Sequence, residues 1–212
     1  DSEVLLHLLE DRGLDGVNGL IGMFAFAFLD LRRRQLMLCR DRLGIKPLYH
    51  ARAGSSFLFA SEVKALFCHP GFKPGIDRTR VQELLQYRHV AGTATAFAGV
   101  RELRPGHALT LDLDTGAETI ACYWDAPSRP SRRIGHEKVH PAGPIGDLLA
   151  SSVKDQLVSD VPLGTQLSGG LDSSLISALA VRERQDPMHT FSIGFPGAVE
   201  DDGLHACAAV AH

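Results

Sequence analysis

Near residue 126 the chain changes the period of its hydrophobic pattern, and that change confines it to two unlike folding units. Before it, apolar residues recur every second position. MFAFAFLD (23–30) sets Phe24, Phe26 and Phe28 against small residues, so bulky side chains share one face of a strand. RQLMLCRDR (34–42) returns after a charged turn, which predicts a hairpin. SFLFAS (56–61) reads as a further strand, and HALTLDLDTGAETIACYW (107–124) as two more turned at Asp114-Thr115-Gly116. Helices are expected over 2–11, closed by Gly13, and over 77–87, capped by Asp77.

Residues 126–144 hold four prolines and three arginines and little that could enter a core, which predicts a linker. Beyond it the period becomes helical: Ile145, Leu148, Leu149, Val153 and Leu157 share one face. VPLGTQL (161–167) then reads as a strand, DSSLISALAVRER (172–184) as a helix with Leu175, Ile176 and Leu179 inward, and HTFSIGF (189–195) as a second strand. Strand, helix, strand is the opening of a parallel sheet. The expected fold class is therefore α+β followed by α/β, with domains at 1–124 and 145–212 joined by a linker at 125–144.

At 212 residues the chain is long enough to bury a core, and its 44% hydrophobic content is ordinary for a globular protein. A net charge of −3 offers nucleic acid or an anionic membrane no general attraction. Cys39, Cys68, Cys122 and Cys207 are too scattered for a zinc site and point to a reducing compartment. No apolar run approaches membrane-spanning length and no signal peptide is visible, so a cytoplasmic location is expected.

The chemistry concentrates in SGGLDSS (168–174), between a predicted strand and a predicted helix. The first N–H groups of a helix lack intrahelical partners and carry partial positive charge. Glycines before them let backbone approach an anion. Ser168, Ser173 and Ser174 add hydroxyl donors. Asp172 would repel phosphate by itself, but Mg²⁺ takes carboxylate and phosphate oxygens together. The string matches neither GxxxxGK[ST] nor GxGxxG. It reads as a cradle for phosphates and a metal.

SGGLDS resembles the SGGxDS pyrophosphate-binding loop of the ATP pyrophosphatase (PP-loop) family. The longer run from Ser159 to Ser174 is similar to the glutamine-hydrolysing asparagine synthetases and their amidotransferase relatives. The resemblance implies cofactors ATP and Mg²⁺, with Ser168, Gly169, Gly170, Asp172, Ser173 and Ser174 on the phosphates, Asp172 on the metal, and Leu167 and Ile193 beside the nucleotide. It implies an adenine nucleotide alpha hydrolase-like fold for the second unit. In the first unit DSEVLLHLLEDRG, VNGLIGMFAFAFLD, CRDRLGIKPLYH and LFASEVKALFCHP follow the order of a type-2 glutaminase domain of Ntn-hydrolase type. GVRELRPGHALTL (99–111) resembles a strand entry of the same family, with Arg104 where proline is usual.

Asp1 matches the aspartate that holds the ammonium of the glutamine substrate, and an N-cap role is open to it as well. Arg40, Asp41 and Arg42 read more simply as a brace for a sharp turn. Such glutaminases use the thiol of an N-terminal cysteine. The first cysteine here is Cys39, in a predicted strand, so no catalytic residue is expected within the chain, nor glutamine hydrolysis by it alone. Asp201-Asp202-Gly203 departs from the Asp-Glu usual in the family, which leaves a metal or substrate role there open. The expected partners are small molecules (ATP, glutamine, aspartate), with no nucleic acid, no membrane, and a possible homodimer. Two alternatives stand beside the synthetase reading: an amidotransferase acting on another carboxylate, cell-envelope or secondary-metabolite (β-lactam-synthetase-like), and a truncated nucleotide-binding fragment without activity.

Overall fold

In the computed structural model, residues 2–126, 142–184, 186–194 and 207 are described. The chain forms two compact units, Asp1–Ser131 and Arg132–His212.

The first unit opens with helix α1 (Ser2–Arg12), followed by a 3-10 helix over Gly13–Gly19. Strands β1 (Ala25–Asp30) and β2 (Gln35–Arg40) form the expected hairpin, registered from Ala25↔Arg40 to Asp30↔Gln35. Its turn is closed by the Asp30 carboxylate, which accepts the N–H groups of Arg32 and Arg33 at 2.9 Å each. Asp112 closes the turn from β6 (His107–Asp112) to β7 (Glu118–Cys122) in the same way, accepting from Asp114 and Thr115. The four strands make an antiparallel sheet ordered β1-β2-β6-β7.

Strands β3 (Tyr49–Ala53), β4 (Ser56–Ala60) and β5 (Val100–Glu102) form a second antiparallel sheet, ordered β4-β3-β5. At 49–53 Tyr49, Ala51 and Ala53 alternate with His50 and Arg52, but two of the three apolar residues are alanines, which favour strands weakly. Its strand character comes from pairing on both sides more than from its own alternation. The short helix α2 (Val63–Leu66) packs on β3 and β4, and α3 (Arg78–Tyr87) begins where Asp77 accepts the N–H groups of Thr79 and Arg80.

Strand β2 has core on both faces. Met37 and Cys39 join Leu9, Val17 and Ala108 under α1 and the 3-10 helix, where Phe24, Phe26 and Phe28 pack. Leu38 points the other way, to Leu48, Leu103, Leu109 and Leu111, with Phe57 of the second sheet alongside. A third cluster, Ala51, Leu66, Phe72 and Val100, lies beneath α2. The layers thus run helix, sheet, sheet, helix. Each fully buried leucine contributes on the order of 1.5–3 kcal/mol.

In the second unit, α4 (Ala142–Asp155) starts three residues earlier than expected, inside the stretch read as linker. Pro144 does not prevent this, because the first helical turn needs no N–H there. β8 (Gly164–Gln166) and β9 (His189–Phe191) pair in parallel, with α5 (Leu171–Arg182) as the crossover. The expected inward face of α5 is corrected in part. Leu179 is half-buried, but Leu175 and Ile176 are exposed, and Ser177 and Ala180 are buried instead. The Ser177 hydroxyl donates to Thr165 Oγ1 at 3.0 Å, which brings helix and strand too close for large side chains. On α4 only part of the expected face is covered: Val153 is buried, whereas Ile145 and Leu148 are exposed.

Candidate functional site

The SGGLDSS stretch sits where β8 passes into α5. The parallel ladder ends at Gln166↔Phe191, and one residue later the Leu167 N–H donates to the Phe191 carbonyl at 2.9 Å. Gly169 takes φ +79°, a conformation that a side chain would strain. Gly170 caps α5 without a side-chain hydrogen bond, and a methyl group there would meet only Ser168 Oγ, at 3.6 Å. The first helical bond runs from the Ser174 N–H to the Gly170 carbonyl at 3.1 Å. The N–H groups of Leu171, Asp172 and Ser173 therefore have no place in the helical ladder.

The hydroxyls are already organised. Ser173 Oγ donates to the Gly170 carbonyl at 3.2 Å and accepts from the Ser168 N–H at 3.2 Å, and it lies 3.0 Å from Ser168 Oγ. Asp172 stands exposed in the first turn, beside these donors. Among the described residues there is no cluster of three or more His, Cys, Asp or Glu side chains placed to hold a metal. One carboxylate with hydroxyls nearby suits Mg²⁺ arriving with phosphate oxygens and water, not a metal held by protein alone.

Six of the residues singled out from sequence thus fall within one seven-residue stretch at a helix N-terminus. Leu167 lies against them, but its side chain is buried to 1% exposure, so it presents backbone rather than an apolar surface. Ile193 lies two residues beyond β9 and is exposed. Asp1, Asp201, Asp202 and Gly203 lie outside the described residues. Ser2, next to Asp1, lines a groove of about 420 Å³ with Phe24, Lys46 and Pro47. Sequence reasoning missed Ser192 and Cys207. The Leu167 carbonyl accepts from Ser192 Oγ at 2.6 Å and from Cys207 Sγ at 3.0 Å. Ser192 was within reach, one residue before Ile193; nothing in local spacing points to Cys207.

Arg40 and Asp41 are a structural brace. The Arg40 guanidinium donates to the carbonyls of Lys46, Leu103 and Gly44 at 2.7–2.8 Å and pairs with Glu102 at 2.8 Å. Cys39 is fully buried, and burial pushes its thiol up to about 12, so it is no nucleophile. A thiol reagent at pH 8 is expected to modify Cys68 and Cys122, both exposed, within minutes, while Cys39 reacts only after unfolding. Peptide mass spectrometry reads the order, and rapid labelling of Cys39 in the folded chain would contradict it.

The family model described as glutamine amidotransferase domain matches residues 1–124, and the one described as asparagine synthase matches residues 145–212. Asparagine synthetase (glutamine-hydrolyzing) 3 of Bacillus subtilis (strain 168) is 43% identical over 201 residues, covering 92% of this chain and 32% of that protein. Asparagine synthetase (glutamine-hydrolyzing) 2 of the same organism is 36% identical over 202 residues, covering 91% of this chain and 27% of that protein. The chain thus spans about a third of the length of these relatives or less. The glutamine phosphoribosylpyrophosphate amidotransferase from B. subtilis, solved with ADP and GMP, aligns over 96% of this chain and 44% of its own at 17% identity, with a TM-score of 0.40. With more than half of its length matched by that first family model, the chain belongs to the glutamine amidotransferase domain family, followed here by an asparagine synthase-like segment.

Proposed function

We propose that this chain is part of an ATP-dependent, glutamine-hydrolysing asparagine synthetase, which converts aspartate, ATP and glutamine to asparagine, AMP, pyrophosphate and glutamate. The observation that carries the reading is the SGGLDSS loop. Its glycines, serines and unladdered N–H groups meet at a helix N-terminus within the asparagine synthase-like segment. The amidotransferase domain upstream is the expected source of ammonia.

In this reading the first unit, 1–124, is the later part of a type-2 glutaminase of Ntn-hydrolase type, and its two facing sheets favour that assignment. Asp1 holds the glutamine ammonium. Residues 125–144 link it to a PP-loop unit over 145–212. There the N–H groups of the first turn of α5, with Ser168, Ser173 and Ser174, receive the β- and γ-phosphates. Asp172 holds Mg²⁺, whose charge offsets that of the phosphates. Gly169 and Gly170 leave the backbone open to the ligand. Leu167 and Ile193 flank the nucleotide. Location in the cytoplasm follows from the chemistry of these substrates; among the described residues no helix is long and apolar enough to cross a membrane.

Titration of the chain with Mg²⁺·ATP by calorimetry tests the assignment. Binding is expected to need the metal. Asp172→Asn is expected to weaken it at least about tenfold, since a carboxylate is lost from a divalent-metal site. The thermal midpoint should stay put, because Asp172 is exposed. Equal affinity with and without Mg²⁺, or an unaffected Asp172→Asn, would remove the assignment.

A further inference from the structure

We infer that Ser192 and Cys207 are positioning residues that hold the Leu167–Ser168 peptide plane and so aim the first N–H group of the SGGLDSS loop. The inference rests on the phosphate-binding reading of that loop and adds to it the residues that set its geometry.

The argument begins at a buried carbonyl. Leu167 is almost completely enclosed, and a buried carbonyl left without donors is costly. The ladder between β8 and β9 ends one residue earlier, so the strand pairing itself does not supply the donor. Two side chains supply it instead. Ser192 Oγ donates at 2.6 Å and Cys207 Sγ at 3.0 Å, a normal hydroxyl bond and a short thiol bond to the same oxygen. The N–H on the other side of Leu167 is held as well, by the Phe191 carbonyl.

A trans peptide is planar, with its carbonyl oxygen and its N–H on opposite sides. Fixing the oxygen of Leu167 therefore fixes the direction of the Ser168 N–H. That N–H meets Ser173 Oγ at 3.2 Å, and the same hydroxyl is tied to the Gly170 carbonyl at the cap of α5. The chain of bonds runs from Ser192 and Cys207, through one rigid plane, to a phosphate-facing hydroxyl. A donor set aimed before the ligand arrives spares the ordering cost of binding. Both side chains direct their donors to the Leu167 carbonyl, so in this proposal they position and do not ligate.

The test uses paired substitutions in the whole chain, of equal shape at position 192. Ser192→Thr keeps the hydroxyl and Ser192→Val removes it; Cys207→Ser keeps a donor and Cys207→Ala removes it. The readouts are hydrogen exchange of the Ser168 amide by NMR and the dissociation constant for Mg²⁺·ATP, with the thermal midpoint as a check on folding. Ser192→Val is expected to speed Ser168 exchange and to weaken Mg²⁺·ATP roughly five- to tenfold, with Ser192→Thr close to the parent protein. Cys207→Ala should act in the same direction and less strongly, because a thiol is the weaker donor. Identical Ser168 exchange in Ser192→Val and Ser192→Thr overturns the inference, whatever the nucleotide does. If the parent chain binds no Mg²⁺·ATP while exchange still separates Ser192→Val from Ser192→Thr, the nucleotide assignment fails and the positioning role stands.

Discussion

Asp41→Ala is expected to cost the first unit roughly 3–4 kcal/mol, measured as a lower urea midpoint at unchanged slope. Asp41 is 1% exposed and sits where β2 leaves its sheet. Its carboxylate accepts the N–H groups of Leu43, Ile45 and Lys46 at 3.2, 3.0 and 2.9 Å. Its own carbonyl accepts from Gly44 and Gly106. Removing the carboxylate leaves three backbone donors, on the part-buried side of an otherwise exposed turn, without their acceptor.

The same residue sets an acid limit. Burial raises its pKa, but the N–H groups of Lys46, Ile45 and Leu43 outweigh burial and hold it below the ordinary 3.8. A carboxylate depressed in the folded state stabilises fully above its unfolded value, and that contribution is lost as pH falls through the folded one. Asp41→Asn cannot titrate. The gap in stability between the parent chain and Asp41→Asn should therefore be constant near neutrality and close below about pH 4. A gap that widens on acidification, or an Asp41→Ala cost under about 1 kcal/mol, would show that the turn is held by something else.

Gly106→Ala is expected to be comparably damaging, at roughly 3 kcal/mol or more. Gly106 has φ +67°, and a Cβ placed on it would lie 2.2 Å from the Trp124 carbonyl oxygen. That oxygen cannot simply retreat, because the N–H groups of Tyr123 and Trp124 both bond to the Gly106 carbonyl, at 2.9 and 3.1 Å. The control is Gly54→Ala. Gly54 has φ +59° with open space around it, so only the backbone penalty of about 1 kcal/mol applies. Equal losses from the two substitutions would mean that the close approach to Trp124 is relieved without consequence.

Asp41 and Gly106 also show why part of the fold lay beyond reading from the chain alone. They are 65 residues apart in number and joined by one hydrogen bond of 2.9 Å. The turn string RDRLGIKPLY announces a brace, and the brace is there. Its far wall is Glu102 and the Leu103 carbonyl, which no local pattern names. Strand β3 carries only a weak local signal: Tyr49, Ala51 and Ala53 alternate with His50 and Arg52, but alanine favours strands little, and two neighbouring strands secure it.

What the sequence determined by itself is what short-range physics governs. Alternating phenylalanines place β1, Asp77 starts α3, and Asp30 and Asp112 close their turns, because each rests on contacts within a few residues. The SGGLDSS loop belongs with these, since a glycine at φ +79° and an open helix terminus are local properties. The tertiary structure decided what depends on distant neighbours. It chose Ser177 and Ala180 over Leu175 and Ile176 as the face of α5, because the approach to Thr165 admits only small side chains. It brought Ser192 and Cys207, 25 and 40 residues along the chain, to the one carbonyl from which the loop departs. A hydrogen-bond partner chosen by proximity in space leaves no period in the sequence, so only the folded chain could reveal it.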